Sequence, residues 1–149
     1  MKIVKVDSIV LNSFLKNNQE IEASIESWYR DIDSLEELHG LHFFLIDKNE
    51  FLAHAMLSSE PDNYAPEDLI IDDVLWLEEV FVREDKRRKG YAKLLLNKVL
   101  SSTNKDITLF VRKESLGAQK LYSSLGFKDL DSNQDYLLMI KPRKLCLIS

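Results

Sequence analysis

Cysteine is almost missing from this chain. The single thiol, Cys146, lies near the C-terminus, so an internal disulfide is excluded and no cysteine pair offers metal-site spacing. The three histidines, His39, His42 and His54, are too scattered to suggest a ligand set, and no metal is expected. A surplus of positive charge is missing as well. The net charge is −5 and the pI is near 5.2, which argues against bulk attraction to nucleic acid. No apolar run approaches the length of a membrane span. The opening stretch "MKIVKVDSIVL" lacks the apolar core and small-residue cleavage site of a signal peptide. The expectation is a cytoplasmic protein with neither membrane nor nucleic acid as partner. Repeats, low-complexity tracts and linkers are also absent. With 149 residues, 45% apolar and 30% charged, the chain is expected to form one globular domain, 1–149.

What is present reads as alternating strands and helices. "KIVKVD" has the pattern of a short first strand. From Asp7 to about Arg30, Ile9, Val10, Phe14, Ile21, Ile25, Trp28 and Tyr29 recur at helical spacing, with a break expected near "KNNQ". "LHFFLID" and "FLAHAML" are joined by "KNE" in a hairpin pattern. The acidic, proline-containing stretch 58–73 reads as a surface loop. "VLWLEEVFV" follows, apolar on both faces: Val74, Trp76, Val80 and Val82 on one, Leu75, Leu77 and Phe81 on the other. Such a strand belongs mid-sheet with helices on both sides. A helix over about 90–101, the strand "DITLFV", a helix ended by Gly126 and a closing strand "DYLLMIK" complete the order. The fold class expected is α/β, with a mixed, mostly antiparallel central sheet flanked by helices on both faces.

Between the central strand and the following helix, Lys86, Arg87, Arg88 and Lys89 precede Gly90. The first amides of a helix have no partners within it, and with the macrodipole they make an anion site. Gly90 lets the backbone approach a phosphate without a Cβ in the way. A solvated basic turn ahead of an amphipathic helix is the plainer reading of the same residues. "GxxxxGK" and a three-glycine dinucleotide fingerprint are both absent.

The segment "RRKGYA" resembles the signature of the GNAT N-acetyltransferases: Arg or Gln, two residues, Gly, one residue, then Gly or Ala. Arg87, Gly90 and Ala92 occupy that register. "SLGAQKLYSSLGF" is similar to a later segment of the same family through Ala118, Tyr122, Gly126 and Phe127, with Ser115 where Asn is usual. The resemblance implies a GNAT-like domain with acetyl-CoA as cofactor. It implies that Arg87, Arg88, Lys89, Gly90, Tyr91, Ala92 and Lys93 hold the pyrophosphate, and that the backbone of Val80, Phe81 and Val82 pairs with the pantetheine. Ser115, Ala118 and Tyr122 complete the implied cofactor set.

Glu78 and Glu79 interrupt the apolar faces of the central strand. Burying an unpaired carboxylate is costly, so each must be paired, protonated or turned to a polar cleft. One structural account is that a glutamate caps a bulge or meets an arginine from elsewhere. The chemical account is that acetyl transfer needs a neutral amine, and an alkylamine is only about one part in a thousand neutral at pH 7. "LWLEEVFV" looks like the equivalent strand of diamine acetyltransferases, which implies Glu78 as base and Glu79 as cation binder. Asp72 and Asp73 would extend an acidic mouth or simply be solvated. Tyr122 suits the core by spacing; by the resemblance it is the acid for the leaving thiolate. The Val80 amide, if a bulge frees it, would stabilise the oxyanion. The function expected is acetyl transfer to a primary amine, such as a polyamine or another cationic small molecule, by direct attack, with Cys146 no nucleophile. A protein N-terminus or lysine as acceptor, a non-catalytic acyl-CoA binder, a nucleic-acid-binding domain and a homodimer remain as alternatives at this point.

Overall fold

The computed structural model describes residues 1–61, 69 and 71–143. Cys146 and half of the expected loop over 58–73 lie outside them. Among the described residues seven strands form one sheet: β1 (Lys2–Asp7), β2 (Leu41–Asp47), β3 (Glu50–Ser58), β4 (Val74–Val82), β5 (Asp106–Arg112), β6 (Lys128–Ser132) and β7 (Tyr136–Lys141). Their order is β1-β2-β3-β4-β5-β7-β6. Every neighbouring pair is antiparallel except β4 with β5.

The β2–β3 hairpin turns at Lys48 and Asn49, both left-handed (φ 51° and 65°), as a two-residue primed turn requires. β2 and β3 are apolar at successive positions because both faces are covered. On one face Phe43, Leu45, Ala53, Ala55 and Leu57 pack beneath α4 (Tyr91–Ser101) and α5 (Leu116–Ser124). On the other, Phe44, Ile46 and Phe51 meet α1 (Leu11–Lys16), α2 (Gln19–Trp28) and α3 (Ile32–Glu36). The break expected near "KNNQ" separates α1 from α2.

Three features depart from the sequence pattern. α3 is a five-residue helix capped by the Asp31 side chain on the Asp33 amide (2.9 Å), too short for its periodicity to register. β6 is wholly exposed and charged, "KDLDS", and is a strand only because β7 pairs with it. β4 does not alternate regularly. Leu75, Leu77, Val80 and Val82 all face α4 and α5, whereas Phe81 joins the α1–α3 side. Val74 and Trp76 form a third cluster with Phe110 and Leu138. The cause is a β-bulge.

Candidate active site

β4 and β5 pair only at Val74↔Asp106, Leu75↔Ile107 and Trp76↔Thr108. β4 then runs on to Val82 and β5 to Arg112, so the two strands part in the middle of the sheet. That opening leaves the β5-facing edge of residues 77–82 without a strand partner. An extended ligand can pair there as an added strand.

Arg83 anchors the far end of the opening. Its guanidinium is buried, grips Asp85 through two bonds (2.9 and 2.7 Å), donates to the Phe51 carbonyl and lies 4.0 Å from the Trp28 ring centre. Arg83 holds the Asp85 carboxyl below its ordinary range. The turn that follows is therefore fixed at its base. Arg87 donates from Nε to the Val82 carbonyl (3.1 Å) and lies over Phe81. Arg88 and Gly90 are left-handed (φ 63° and 79°), and α4 starts at Tyr91 with Gly90 as its N-cap. Among the described residues the amides from Arg88 to Lys93 make no hydrogen bond. A Cβ on Gly90 would meet no protein atom within 4 Å. Open space, unpartnered amides and the exposed side chains of Arg88, Lys89 and Lys93 fit a pyrophosphate.

Opposite Ala55, β4 supplies two residues, Glu79 and Val80, between the pairs Met56↔Glu78 and His54↔Phe81. This is the bulge, and Glu79 takes the strained turn of it with φ 52°. Neighbouring residues on a regular strand point to opposite faces. Here the extra residue brings Glu78 and Glu79 to the same wall of a cavity of about 230 Å³, with Glu37, His39, Ser58 and Glu60 also lining it. The Glu79 carboxylate accepts from the Tyr29 hydroxyl (2.5 Å) and lies 3.4 Å from Arg30 Nη1. Burial and this carboxylate push the Tyr29 phenol far above its ordinary value. Glu79 thus sits at a bulge and also meets an arginine.

Asp72 and Asp73 do not line that cavity. Asp73 instead bridges Lys105 and Arg143. A larger cavity of about 530 Å³, lined among others by Asn97, Thr103, Lys105 and Arg143, lies beyond the C-terminal end of α4, away from both turn and glutamates.

Tyr122 is the buried residue of α5, and burial alone pushes its phenol up to about 12. Its ring is held edge-on by Phe127, 5.7 Å away. That contact comes from the helix end: Gly126 (φ 100°) lets the Gly126 amide reach Ser123 and the Phe127 amide reach Tyr122. Ser115 is the N-cap of α5 and makes no side-chain cap bond. Ala118 packs against the same core as Tyr122.

Sequence reasoning missed Tyr29, Arg30, His42 and His54. Tyr29 was explicable as an apolar helix position, and the histidines are twelve residues apart. The hairpin brings them together, His42 Nδ1 to His54 Nε2 at 2.9 Å, and His54 Nδ1 lies 2.7 Å from the Glu79 carbonyl. No group of three or more metal-ligating side chains forms among the described residues.

A central sheet split between β4 and β5, with unpartnered amides of a helix start at its mouth, offers a slot for an extended anionic ligand. The chain belongs to the acetyltransferase (GNAT) family, whose model matches residues 8–127. It is accordingly an N-acetyltransferase, and acetyl-CoA is its acyl donor. Its fold is similar to that of the ribosomal-protein-S18-alanine N-acetyltransferase from Escherichia coli, with a TM-score of 0.67 at 19% identity over 97% of this chain and 95% of that one. It is similar to Arabidopsis thaliana NAA60 in complex with acetyl-CoA (TM-score 0.59, 15% identity, 93% and 96% covered). It is also similar to the PaiA N-acetyltransferase from Thermoplasma acidophilum in complex with coenzyme A (TM-score 0.57, 15% identity, 95% and 99% covered). No curated protein matches it in sequence. No helix among the described residues is long and apolar enough to cross a membrane.

Proposed function

We propose that the acceptor is a cationic primary amine, with a small polyamine-like molecule as the preferred class. The observation that carries this is the bulge, which sets Glu78 and Glu79 side by side on a cavity wall with Glu37 and Glu60 nearby. Four carboxylates around about 230 Å³ attract an ammonium and exclude acidic acceptors. Arg30 offsets part of the Glu79 charge, so Glu79 tunes the site while Glu78 takes the proton.

In this reading Glu78 accepts a proton from the bound ammonium, directly or through water, and the freed nitrogen attacks the thioester carbonyl. The Val80 amide donates to the carbonyl oxygen as negative charge develops there. Tyr122 gives its proton to the sulfur as the C–S bond breaks, and the protein forms no covalent bond itself. The amides and cations of residues 87–93 hold the pyrophosphate, and Ser115 and Ala118 lie along the pantetheine.

Initial rates with chain-matched monoamines, diamines and N-terminal peptides test the acceptor. Diamines should lead at low salt, with their advantage shrinking as ionic strength rises. Equal rates for monoamines and diamines would sink the acidic-wall argument, and peptides ahead of every diamine would move the acceptor to a protein N-terminus or lysine.

A further inference from the structure

Glu79 is the only residue of β4 with a left-handed backbone, and glutamate has no particular ease there. A strained residue persists in a sheet when its surroundings over-determine it. Two groups hold this one. Tyr29 and Arg30 hold its carboxylate. His54, fully buried on β3, holds its carbonyl at 2.7 Å.

A carbonyl only accepts, so His54 Nδ1 carries the proton. In the neutral ring Nε2 is then an acceptor, and His42 Nδ1 donates to it at 2.9 Å. Burial keeps both rings neutral, pushing His54 down to about 3 and His42 below its ordinary value. Tyr29 and Phe44 pack around His54, with ring centres at 5.2 and 5.0 Å, so the imidazole has a fixed place.

We propose that His54 is a positioning residue, which aims the Val80 amide at the reacting carbonyl by holding the Glu79 carbonyl of the same peptide. That peptide is planar and trans, so its C=O and N–H point in opposite directions. The carbonyl is drawn to the α1–α3 side, where His54 lies. The Val80 N–H therefore points to the α4–α5 side, the side on which the Val80 side chain also packs. Loss of the clamp lets the bulge relax and separates Glu78 from Glu79. The inference rests on the acetyl-transfer mechanism proposed above.

Two variants of the full chain test it. His54→Leu fills much of the site and removes the donor; His54→Asn keeps an N–H near the Nδ1 position. Oxyanion donors are worth about a hundredfold to a thousandfold in kcat. His54→Leu should therefore lower kcat by about tenfold or more, with KM for acetyl-CoA within about twofold. His54→Asn should recover most of kcat even if both variants melt at similarly reduced temperatures. Wild-type kcat in His54→Leu, or equal losses in both variants, overturns the proposal. Nitrogen NMR of the wild-type imidazole gives a readout that needs no turnover. The Nδ1–H tautomer is expected, with the Val80 amide resonance moved in His54→Leu and little changed in His54→Asn; an Nε2–H tautomer overturns the clamp. If His54→Leu fails to fold, the tautomer and His54→Asn decide. A wild type that binds acetyl-CoA but acetylates no amine defeats the mechanism, and the NMR result still decides the clamp.

Discussion

Tyr122 has its ring in the core and its hydroxyl without a hydrogen-bond partner among the described residues. With its phenol pushed up to about 12, it stays protonated across the working range and is a poor source of any pH limb below that value. Tyr122→Phe should lower kcat by about a hundredfold to ten-thousandfold while calorimetry finds acetyl-CoA affinity near wild type. An unchanged kcat where chemistry limits turnover would leave the ring a packing role alone. The two glutamates should separate kinetically. Glu78→Gln should lower kcat and move the pH optimum upward, because the amine must then lose its proton unaided. Glu79→Gln should act mainly on the acceptor KM. Steady-state profiles of both variants check this, and similar kcat losses with unchanged KM would remove the distinction. The residue types of this site were legible in the chain, but the partners of Glu79 were not. Tyr29 and Arg30 lie fifty and forty-nine positions away, and only packing of the α2 end against β4 brings them in.

Among the elements, the 87–93 turn is the most completely written in local sequence. Gly90 is needed for its φ of 79° and for the ligand that would approach where a Cβ would stand. Gly90→Asp adds strain, bulk and negative charge where amides face phosphate. It should abolish acetyl-CoA binding by calorimetry while far-ultraviolet circular dichroism stays native. Retained affinity in the folded variant would dismiss the phosphate assignment. β4 shows the opposite case. Its composition announces a central strand, yet regular alternation assigns Val80, Phe81 and Val82 to the wrong faces. One inserted residue reverses every position after it, and the register with β3 alone records that. β6 and α3 were invisible for a related reason, since pairing and docking rather than periodicity hold them.

At the scale of the whole molecule, the buried histidine pair links stability to pH. Unfolded histidines titrate near 6.5, whereas folded His54 resists protonation down to about 3 and His42 is lowered too. Between those values the unfolded chain binds more protons, so stability should fall as pH drops below about 6.5. Each histidine contributes a slope of up to about 1.4 kcal/mol per pH unit. Urea midpoints between pH 7.5 and 5 measure it, and His54→Asn should flatten the dependence. A curve of wild-type steepness in that variant would assign the effect to carboxylates elsewhere.

The sequence by itself determined the class of sheet, the helix that starts at the basic turn and the family register of Arg87, Gly90, Ala92, Ala118 and Tyr122. The first two rest on short-range rules, namely the period of burial, the glycines that permit left-handed turns, and amides left over at a helix start, whereas the register rests on the resemblance to the family. Tertiary structure alone decided that His42 and His54 touch and that Arg30 shares Glu79. It also decided that two adjacent carboxylates face one cavity instead of two sides of a sheet. Those facts depend on strand register and on contacts between segments far apart in the chain, and neither leaves a local periodic trace.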